Sequence, residues 1–532
     1  MSKSSKKILL IVFVLVLGYV GLASIGLSMP GVMYDEALHI NAALGGLDET
    51  FIYKEVFGIP VLLMPYIGGL KAYVTAPFFW LFGVNPISIR LPLILITAGT
   101  LGLFFSTVRR FFNKRVALIT LALTATAPTV IQSTRTDSGP VVLGLLMMVA
   151  ALLGLHAYIK NRKTWGLILL IAALALGLFH KLNFIWFVNS LVAGTIFFYG
   201  RELYQHFSSK TSKRLRNILI GLGALIAIAA IVGYYVLASQ RFALFGALDF
   251  ATFDWQLRIY NVTTNLWRLI NGELYFSYVF GDRPTLAGWV VSFATYALLL
   301  AGLATAMLRK SLRYRREYFF FVFLFVTTVV QIFITRNAAW PWHIFTVYPS
   351  LTVLLAYSVY AVGDLVGALK PMLKKSWYII SIGLFVTYNL VINATYIGAY
   401  KEPVKNVYWS PAIYELIDYT GDQDHKYVSI DWGTHTQLLT FSEDPDKYLN
   451  ESFRLNQHEL TGTAYWSFAT EYLYNADEYR FILHRESKSL FPNARTNFFA
   501  VVEGVGLAAN LEHTITEDGR VVFEIYNVTQ PD

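Results

Sequence analysis

Long apolar runs recur along this chain and are separated by shorter polar segments. A helix that crosses a lipid bilayer needs about 20 mostly apolar residues, and eleven runs approach that length. The pattern therefore predicts about eleven transmembrane helices. Their approximate ranges are 8–27, 88–108, 116–133, 140–158, 165–180, 184–200, 217–238, 286–307, 318–334, 344–366 and 377–397. The sequence HKLN at 180–183 is expected to be a tight turn between two of these helices, because burying Lys181 in hydrocarbon would be costly.

Two longer segments between the apolar runs, 28–87 and 239–285, are expected to form external loops. The first contains apolar stretches that prolines and glycines interrupt, so it is too broken to span the membrane. We expect it to form short helices at the interface, with aromatic side chains at the level of the lipid headgroups.

A different pattern begins at residue 400, where apolar and polar residues alternate in three stretches that predict β-strands. These stretches are KYVSI (426–430), YRFILH (479–484) and VVFEIYNV (521–528). Helix-like stretches lie between them. The predicted fold class is therefore an all-α membrane domain, residues 1–399, followed by a soluble α/β domain, residues 400–532.

The composition supports a membrane protein. Hydrophobic residues make up 55% of the chain and charged residues only 14%, whereas a soluble globular protein carries about 25% charged residues. The chain has no cysteine, which excludes disulfide frameworks, thiolate zinc sites and cysteine nucleophiles.

The net charge of +9 is explained by the loops. Alternate loops, counted from the N-terminus, hold 23 of the 43 basic residues, with Glu202 as their only acid. Because basic residues accumulate in cytoplasmic loops, we predict a cytoplasmic N-terminus, a first run that is an uncleaved anchor, and an extracytoplasmic C-terminal domain. The predicted location is the plasma (cell inner) membrane. The expected partners include membrane lipids and exclude nucleic acid.

Two adjacent acids, Asp35 and Glu36, follow the first predicted span. Carboxylates beside a hydrophobic slab are costly to desolvate, so such a pair normally faces water or a functional cavity. A second charged turn, QSTRTDSGP, lies between the third and fourth spans and contains Arg135 and Asp137. These turns fall on the same predicted face of the membrane, which makes them candidates for one site.

A family resemblance rests on three further motifs. GGLKAYVTAPFFWLFG (68–83) follows the acidic pair, SIRLP (88–92) enters the second span, and WPWHIFTVYP (340–349) opens a late span. Together they resemble the GT-C-type glycosyltransferases that use polyprenol-phosphate sugars, in particular the protein O-mannosyltransferase and aminoarabinose-transferase branch. The region after residue 400 does not resemble the β-trefoil of eukaryotic mannosyltransferases, so the class of acceptor stays open.

The resemblance implies roles for particular residues. Asp35 is the expected general base, because the family places its base in this acidic loop and a carboxylate near an acceptor hydroxyl can take its proton. Lys71 is the family-matched cation for the lipid phosphate. The candidate catalytic residues are Asp35 and Asp137, and the candidate substrate-binding residues are Glu36, Lys71, Arg135, Arg336 and His343.

Structural alternatives stand beside these roles. The acidic pair could cap an interfacial helix, and Asp137 could cap the fourth span and pair with Arg135. Lys71 could extend toward lipid headgroups. Trp340 and Trp342 are interpreted as part of an aromatic belt. Asp431 and His435 in DWGTH (431–435) could line a pocket after a strand, but the segment is interpreted as an ordinary loop.

The sequence thus predicts an integral-membrane glycosyltransferase, either a hexosyl- or a pentosyltransferase. It would move a sugar from a polyprenyl-phosphate donor to a lipid, glycan or protein acceptor at the extracytoplasmic face, by single displacement with inversion. No cofactor is certain, and a divalent cation is left open because adjacent carboxylates are compatible with hard cations. The alternatives are a transporter or flippase for lipid-linked sugars and a non-catalytic envelope assembly protein. Internal repeats and charges at the membrane midplane would favour the transporter.

Overall fold

The computed structural model describes residues 3–45, 54–64, 66–208, 254–282, 285–309, 312–335, 338–458 and 462–531. The helices up to residue 399 are α1 (Lys3–Ala23), α2 (Tyr34–Leu44), α3 (Leu70–Phe82), α4 (Pro86–Phe111), α5 (Lys114–Thr126), α6 (Pro128–Thr136), α7 (Val142–Asn161), α8 (Thr164–His180), α9 (Ile185–Ser208), α10 (Trp255–Asn271), α11 (Leu274–Val279), α12 (Leu286–Leu308), α13 (Arg315–Ile334), α14 (Pro341–Ile344), α15 (Tyr348–Leu369) and α16 (Pro371–Ala399). Short 3-10 turns at Leu182–Phe184 and Phe345–Val347 lead into α9 and α15.

The described part of the chain is a multi-pass membrane protein. Eight of its helices are long and apolar enough to span, and α5 with α6, bent by 59° at their junction, would make a ninth. The predicted span at 165–180 is the shorter apolar helix α8, and the predicted span at 217–238 lies outside the described residues. The predicted fold class is confirmed, but the exact count of eleven spans is not.

Local sequence explains where these helices begin and approach one another. The Asn85 side chain accepts hydrogen bonds from the first backbone N–H groups of α4, and Asn113 does the same for α5. Helices α7 and α8 are in close contact because they meet at Gly154 and Gly166, where an added Cβ on either residue would come within 2.8 Å of the other helix. Small residues permit this backbone approach in a membrane bundle.

The segment 28–87 forms short helices as predicted, and it also contains a small sheet that the sequence pattern did not predict. After α2, the strands β1 (Lys54–Val56), β2 (Ile59–Met64) and β3 (Ile67–Gly68) pair antiparallel, and α3 follows. The hairpin returns the chain toward α2, so that Ile67 and Leu63 share a buried apolar cluster with Leu38.

The C-terminal domain has a five-stranded mixed sheet in the order β5-β4-β6-β8-β7. Its strands are β4 (Lys426–Ser429), β5 (Tyr448–Asn450), β6 (Tyr479–His484), β7 (Ala508–Glu517) and β8 (Arg520–Thr529). Its α-helices are α17 (Ala412–Gly421), α18 (Thr434–Phe441), α19 (Ser452–Leu455), α20 (Thr463–Phe468) and α21 (Pro492–Gly504). The three predicted strands correspond to β4, β6 and β8.

The C-terminal domain packs directly on α2. The Asn41 side chain donates to the backbone oxygen of Thr436 over 2.9 Å, and Gln437 donates to the backbone oxygen of Val32 over 2.6 Å. The backbone N–H of Gly31 donates to the carbonyl of Trp409 over 2.7 Å. The helix that carries the predicted base is therefore held between the membrane bundle and the α/β domain.

Candidate active site

The two adjacent acids point in different directions. Asp35 lines a cavity of about 680 Å³ beneath the C-terminal domain. Glu36 is buried and turned toward Arg90, whose Nε and Nη2 donate to its two carboxylate oxygens over 3.1 and 3.0 Å. Glu36 also accepts the backbone N–H of Met33 at the start of α2. The structure therefore gives Glu36 the capping and anchoring geometry, and it does not place this side chain among the residues that line the cavity.

Two buried arginines hold the segment that precedes Asp35. Arg90 donates from Nη1 to the carbonyls of Leu27 and Met29 over 2.7 and 3.1 Å. Arg135 donates to the carbonyls of Ile25 and Met29, each over 2.8 Å, and Tyr400 accepts a further hydrogen bond from it. Arg135 was predicted to bind substrate or to pair with Asp137. Instead its guanidinium is directed at backbone carbonyls, which shapes the path of the chain into α2.

Asp137 and Lys71 form a buried ion pair at the base of the site. The Nζ of Lys71 lies 3.0 Å from Oδ2 of Asp137 and donates to its backbone oxygen over 3.1 Å. The other carboxylate oxygen of Asp137 accepts the backbone N–H groups of Val141 and Val142 at the start of α7, over 2.6 and 2.8 Å. Asp137 thus caps α7 as the structural alternative expected, with Lys71 as its partner in place of Arg135.

Gly139 joins Asp35 to a lysine that the sequence analysis left out of the site. The backbone N–H of Gly139 favours the charged form of the Asp35 carboxyl and so opposes the rise in its pKa. The carbonyl of Gly139 accepts Nζ of Lys181 over 2.9 Å. Gly139 has a φ of +72°, and a Cβ there would lie 2.5 Å from the Trp342 ring. Only glycine fits this position without strain.

Lys181 is the functional candidate that sequence reasoning missed. The HKLN sequence does break α8 from α9, but Lys181 is buried within the protein, where it lines the cavity with Asp35. A turn was expected because it would keep Lys181 out of the hydrocarbon. A polar cavity inside the protein, which also keeps the lysine away from lipid, was not considered. A charge between two apolar runs was itself the signal, because ionisable residues at membrane depth usually face a functional cavity.

Burial perturbs both ionisable groups in the cavity. Desolvation raises the pKa of the Asp35 carboxyl above its ordinary value, although Lys181 and Lys71 oppose the rise. Desolvation lowers the pKa of Lys181 to about 8, although Asp35 and Asp137 favour its charged form. A carboxylate with a raised pKa is a better proton acceptor, and a neighbouring ammonium supplies positive charge for an anion.

The late aromatic turn contributes to the same cavity. His343 is buried and lines it, with its ring edge-on to Trp186 at 5.5 Å. Trp340 and Trp342, expected in an aromatic belt, stack on each other at 5.7 Å and also line the cavity. Arg336, the other candidate substrate-binding residue on this turn, lies outside the described residues.

The described carboxylates and histidines do not assemble a metal centre. No group of three or more acidic or histidine side chains in the described ranges is arranged to hold a metal ion. Glu36 is engaged by Arg90, and both carboxylate oxygens of Asp137 are engaged by amides and Lys71. The donors that the sequence analysis left open for a divalent cation therefore do not converge with Asp35.

A small apolar recess of about 20 Å³ adjoins the cavity between the membrane helices. Lys181 and Trp342 line both the cavity and the recess. Gly139, whose carbonyl accepts Nζ of Lys181, lines the recess. The remaining apolar lining of the recess includes Leu145, Met148, Phe184, Phe345 and Pro349. A polar cavity with a carboxylate and a lysine therefore adjoins apolar surface between membrane helices.

Comparison with known proteins confirms the resemblance. Residues 70–236 match the dolichyl-phosphate-mannose-protein mannosyltransferase family. The crystal structure of ArnT from Cupriavidus metallidurans in the apo state has the same fold, with a TM-score of 0.55, 14% sequence identity and 98% coverage of both chains. The same protein bound to undecaprenyl phosphate matches with a TM-score of 0.54 and 14% identity, again over 98% of both chains.

A solved structure with lower sequence identity also matches over most of this chain. The apo oligosaccharyltransferase of Archaeoglobus fulgidus matches with a TM-score of 0.53 and 11% identity, over 93% of this chain and 71% of its own. No curated protein matches the chain by sequence. The chain therefore has the fold of the GT-C-type membrane glycosyltransferases of the ArnT and protein mannosyltransferase kind.

Proposed function

We propose that this protein is a membrane glycosyltransferase that moves a sugar from a polyprenyl phosphate to an acceptor hydroxyl at the extracytoplasmic face. The observation that carries the proposal is the placement of Asp35 and Lys181 in one cavity, joined through the backbone of Gly139. The ArnT structure with undecaprenyl phosphate supports a polyprenyl donor for this fold.

Asp35 acts as the general base in the proposed reaction. Its carboxylate takes the proton of the acceptor hydroxyl while that oxygen attacks the anomeric carbon of the sugar. The bond between the anomeric carbon and the phosphate oxygen breaks, and polyprenyl phosphate leaves with the electron pair. A single displacement of this kind inverts the anomeric configuration. The desolvation that raises the pKa of Asp35 strengthens it as a base.

Lys181 binds the phosphate of the donor. It lies where the polar cavity adjoins a small apolar recess between membrane helices, so a phosphate beside it would have apolar surface next to it. Its ammonium stabilises the charge that develops on the leaving phosphate. Lys71, which is paired with Asp137, favours the charged form of Asp35. Asp137 is a positioning residue, because it orients the turn that contains Gly139.

Reconstituted protein distinguishes this enzyme from a flippase. Liposomes carry the purified protein, a panel of polyprenyl-phosphate sugars and a membrane extract as the source of acceptors. We expect one donor to yield free polyprenyl phosphate together with a glycosylated product. Movement of intact donor between leaflets without cleavage of any donor would favour the transporter and contradict the proposal.

A further inference from the structure

Part of the cavity wall comes from the C-terminal domain and the segment that leads into it. These residues line the same cavity as Asp35 and Lys181. They are Lys405, Asn406, Val407, Tyr408, Trp432 and the loop 487–490. The α/β domain is therefore part of the site, and the DWGTH segment, which the sequence analysis interpreted as an ordinary loop, places its tryptophan in the cavity.

Trp432 is held rigidly at this wall. Its ring lies 4.3 Å from the ring of Tyr34 at an angle of 42°, and 5.4 Å from that of Tyr408 at 73°. Its backbone N–H donates to the carboxylate of Asp431 over 2.9 Å. Gly433, with a φ of +86°, lets the chain turn directly into α18. The ring is only partly exposed, so little conformational freedom remains to be lost when a ligand packs on it.

The position of Trp432 favours contact with the acceptor and not with the donor. Tyr34, against which it packs, immediately precedes the proposed base Asp35. The donor phosphate is assigned to Lys181, which comes from the membrane bundle and adjoins the apolar recess together with Trp342. A molecule that lies against Trp432 would therefore approach the base from the side of the C-terminal domain.

The chemistry of this wall suits a sugar ring. An aromatic face offers apolar contact to the C–H groups of a pyranose, and side-chain amides and hydroxyls beside it can bind ring hydroxyls. Asn406, Ser487 and Ser489 supply such groups. The rim residues Lys405 and Lys488 are exposed and charged, which is unsuited to the acyl chains of a membrane lipid.

We propose that the C-terminal domain forms the acceptor subsite and that the acceptor is a carbohydrate whose sugar ring packs on Trp432. This inference rests on the proposed function, because an acceptor is defined by the transfer reaction. It assigns a role to the α/β domain and narrows the acceptor from lipid, glycan or protein to a water-borne glycan.

The test uses full-length protein in detergent with a donor that it cleaves. Three classes of acceptor are compared: soluble oligosaccharides, peptides rich in serine and threonine, and glycolipids in micelles. The variants are Trp432→Ala, Trp432→Phe and the control Trp466→Ala, whose ring is 57% exposed on α20 away from the cavity. We expect transfer to an oligosaccharide, an increase of about tenfold or more in its KM with Trp432→Ala, and partial rescue by Trp432→Phe.

Other outcomes overturn the inference. Transfer only to peptides would contradict a carbohydrate acceptor, and transfer only to glycolipids would contradict a water-borne one. A Trp432→Ala variant that behaves like Trp466→Ala would remove Trp432 from the subsite. If wild-type protein cleaves no donor, the proposed function fails instead, and saturation-transfer NMR with the same oligosaccharides decides the binding claim alone. There, saccharide signals that disappear in Trp432→Ala support the subsite, and signals that are absent or unchanged refute it.

Discussion

The Nζ of Lys71 lies 3.0 Å from Oδ2 of Asp137, and both side chains are buried. Removing one member of such a pair leaves an uncompensated charge in the interior. The pair also fixes the turn that leads to Gly139 and therefore links the stability of the bundle to the geometry of the cavity.

We therefore expect Lys71→Met to destabilise the protein by about 3–5 kcal/mol. The double variant Lys71→Met with Asp137→Asn should recover most of this loss, because the introduced asparagine can still cap α7 and carries no charge. Thermal melting in detergent measures both effects. A single variant that melts like wild type, or a double variant that melts no higher than the single one, would show that the pair contributes little.

The buried ammonium of Lys181 should lower the free energy of unfolding, although it is proposed to bind the donor phosphate. The pKa of Lys181 is about 8 in the folded protein, against an ordinary value of 10.5. The unfolded state therefore binds this proton more tightly than the folded state does, which disfavours folding wherever both states are protonated, below pH 8. The resulting penalty is about 3 kcal/mol, and it disappears between pH 8 and 10.5 as the folded state releases the proton first.

Lys181→Met should therefore melt at a higher temperature than wild type at pH 7, and the difference should narrow above pH 8. The same variant should bind a polyprenyl-phosphate sugar about ten- to a hundredfold more weakly, because a charge-assisted contact is lost. Melting curves across pH and a donor-binding titration check the two parts. Unchanged donor affinity would remove Lys181 from phosphate binding.

The pH dependence of transfer should have two limbs. Activity should rise with pH as Asp35 loses its proton, and this limb should lie above the range of an ordinary aspartate because burial raises the pKa. Activity should fall as pH rises through about 8, where Lys181 loses its charge. In Lys181→Arg the alkaline limb should move to much higher pH, since arginine stays protonated. An alkaline limb that stays near pH 8 in this variant would assign it to another group.

Gly139→Ala should damage both folding and transfer. Alanine at a φ of +72° is strained, and its Cβ would meet the ring of Trp342 at 2.5 Å. Gly102→Ala is the matched control, because a Cβ at that position on α4 meets nothing within 4 Å. We expect a lower melting temperature and a loss of transfer only for the variant at 139. Equal behaviour of the two variants would contradict the role given to this turn.

The membrane helices could be predicted because a helix that crosses the bilayer needs about 20 mostly apolar residues in a row. The strands β4, β6 and β8 were equally visible in their alternating residues. The small sheet β1–β3 was missed, because its apolar residues lie in a segment where prolines and glycines obscure any period. The count of spans could not be settled, because 217–238 lies outside the described residues.

The candidate site was only partly visible in the sequence. The acidic loop pointed to Asp35, but no local pattern separates it from Glu36, whose partner Arg90 is 54 residues away. Trp432 lies almost 400 positions beyond α2, so only the packing of the C-terminal domain could bring it to the cavity. Lys181 was recognised as a charge between two apolar runs. It was placed in a turn because burying it in hydrocarbon would be costly, and a role in a buried polar cavity was not considered.

The most direct measurement compares transfer rates of wild type, Asp35→Asn and the control Asp422→Asn, an exposed acid of the C-terminal domain. Asparagine keeps an oxygen for the Gly139 N–H but cannot take a proton, so folding and donor binding should persist. We predict that Asp35→Asn lowers kcat by about 10²- to 10⁴-fold, while Asp422→Asn transfers like wild type. Transfer by Asp35→Asn at a near wild-type rate would contradict the account of Asp35 as the base.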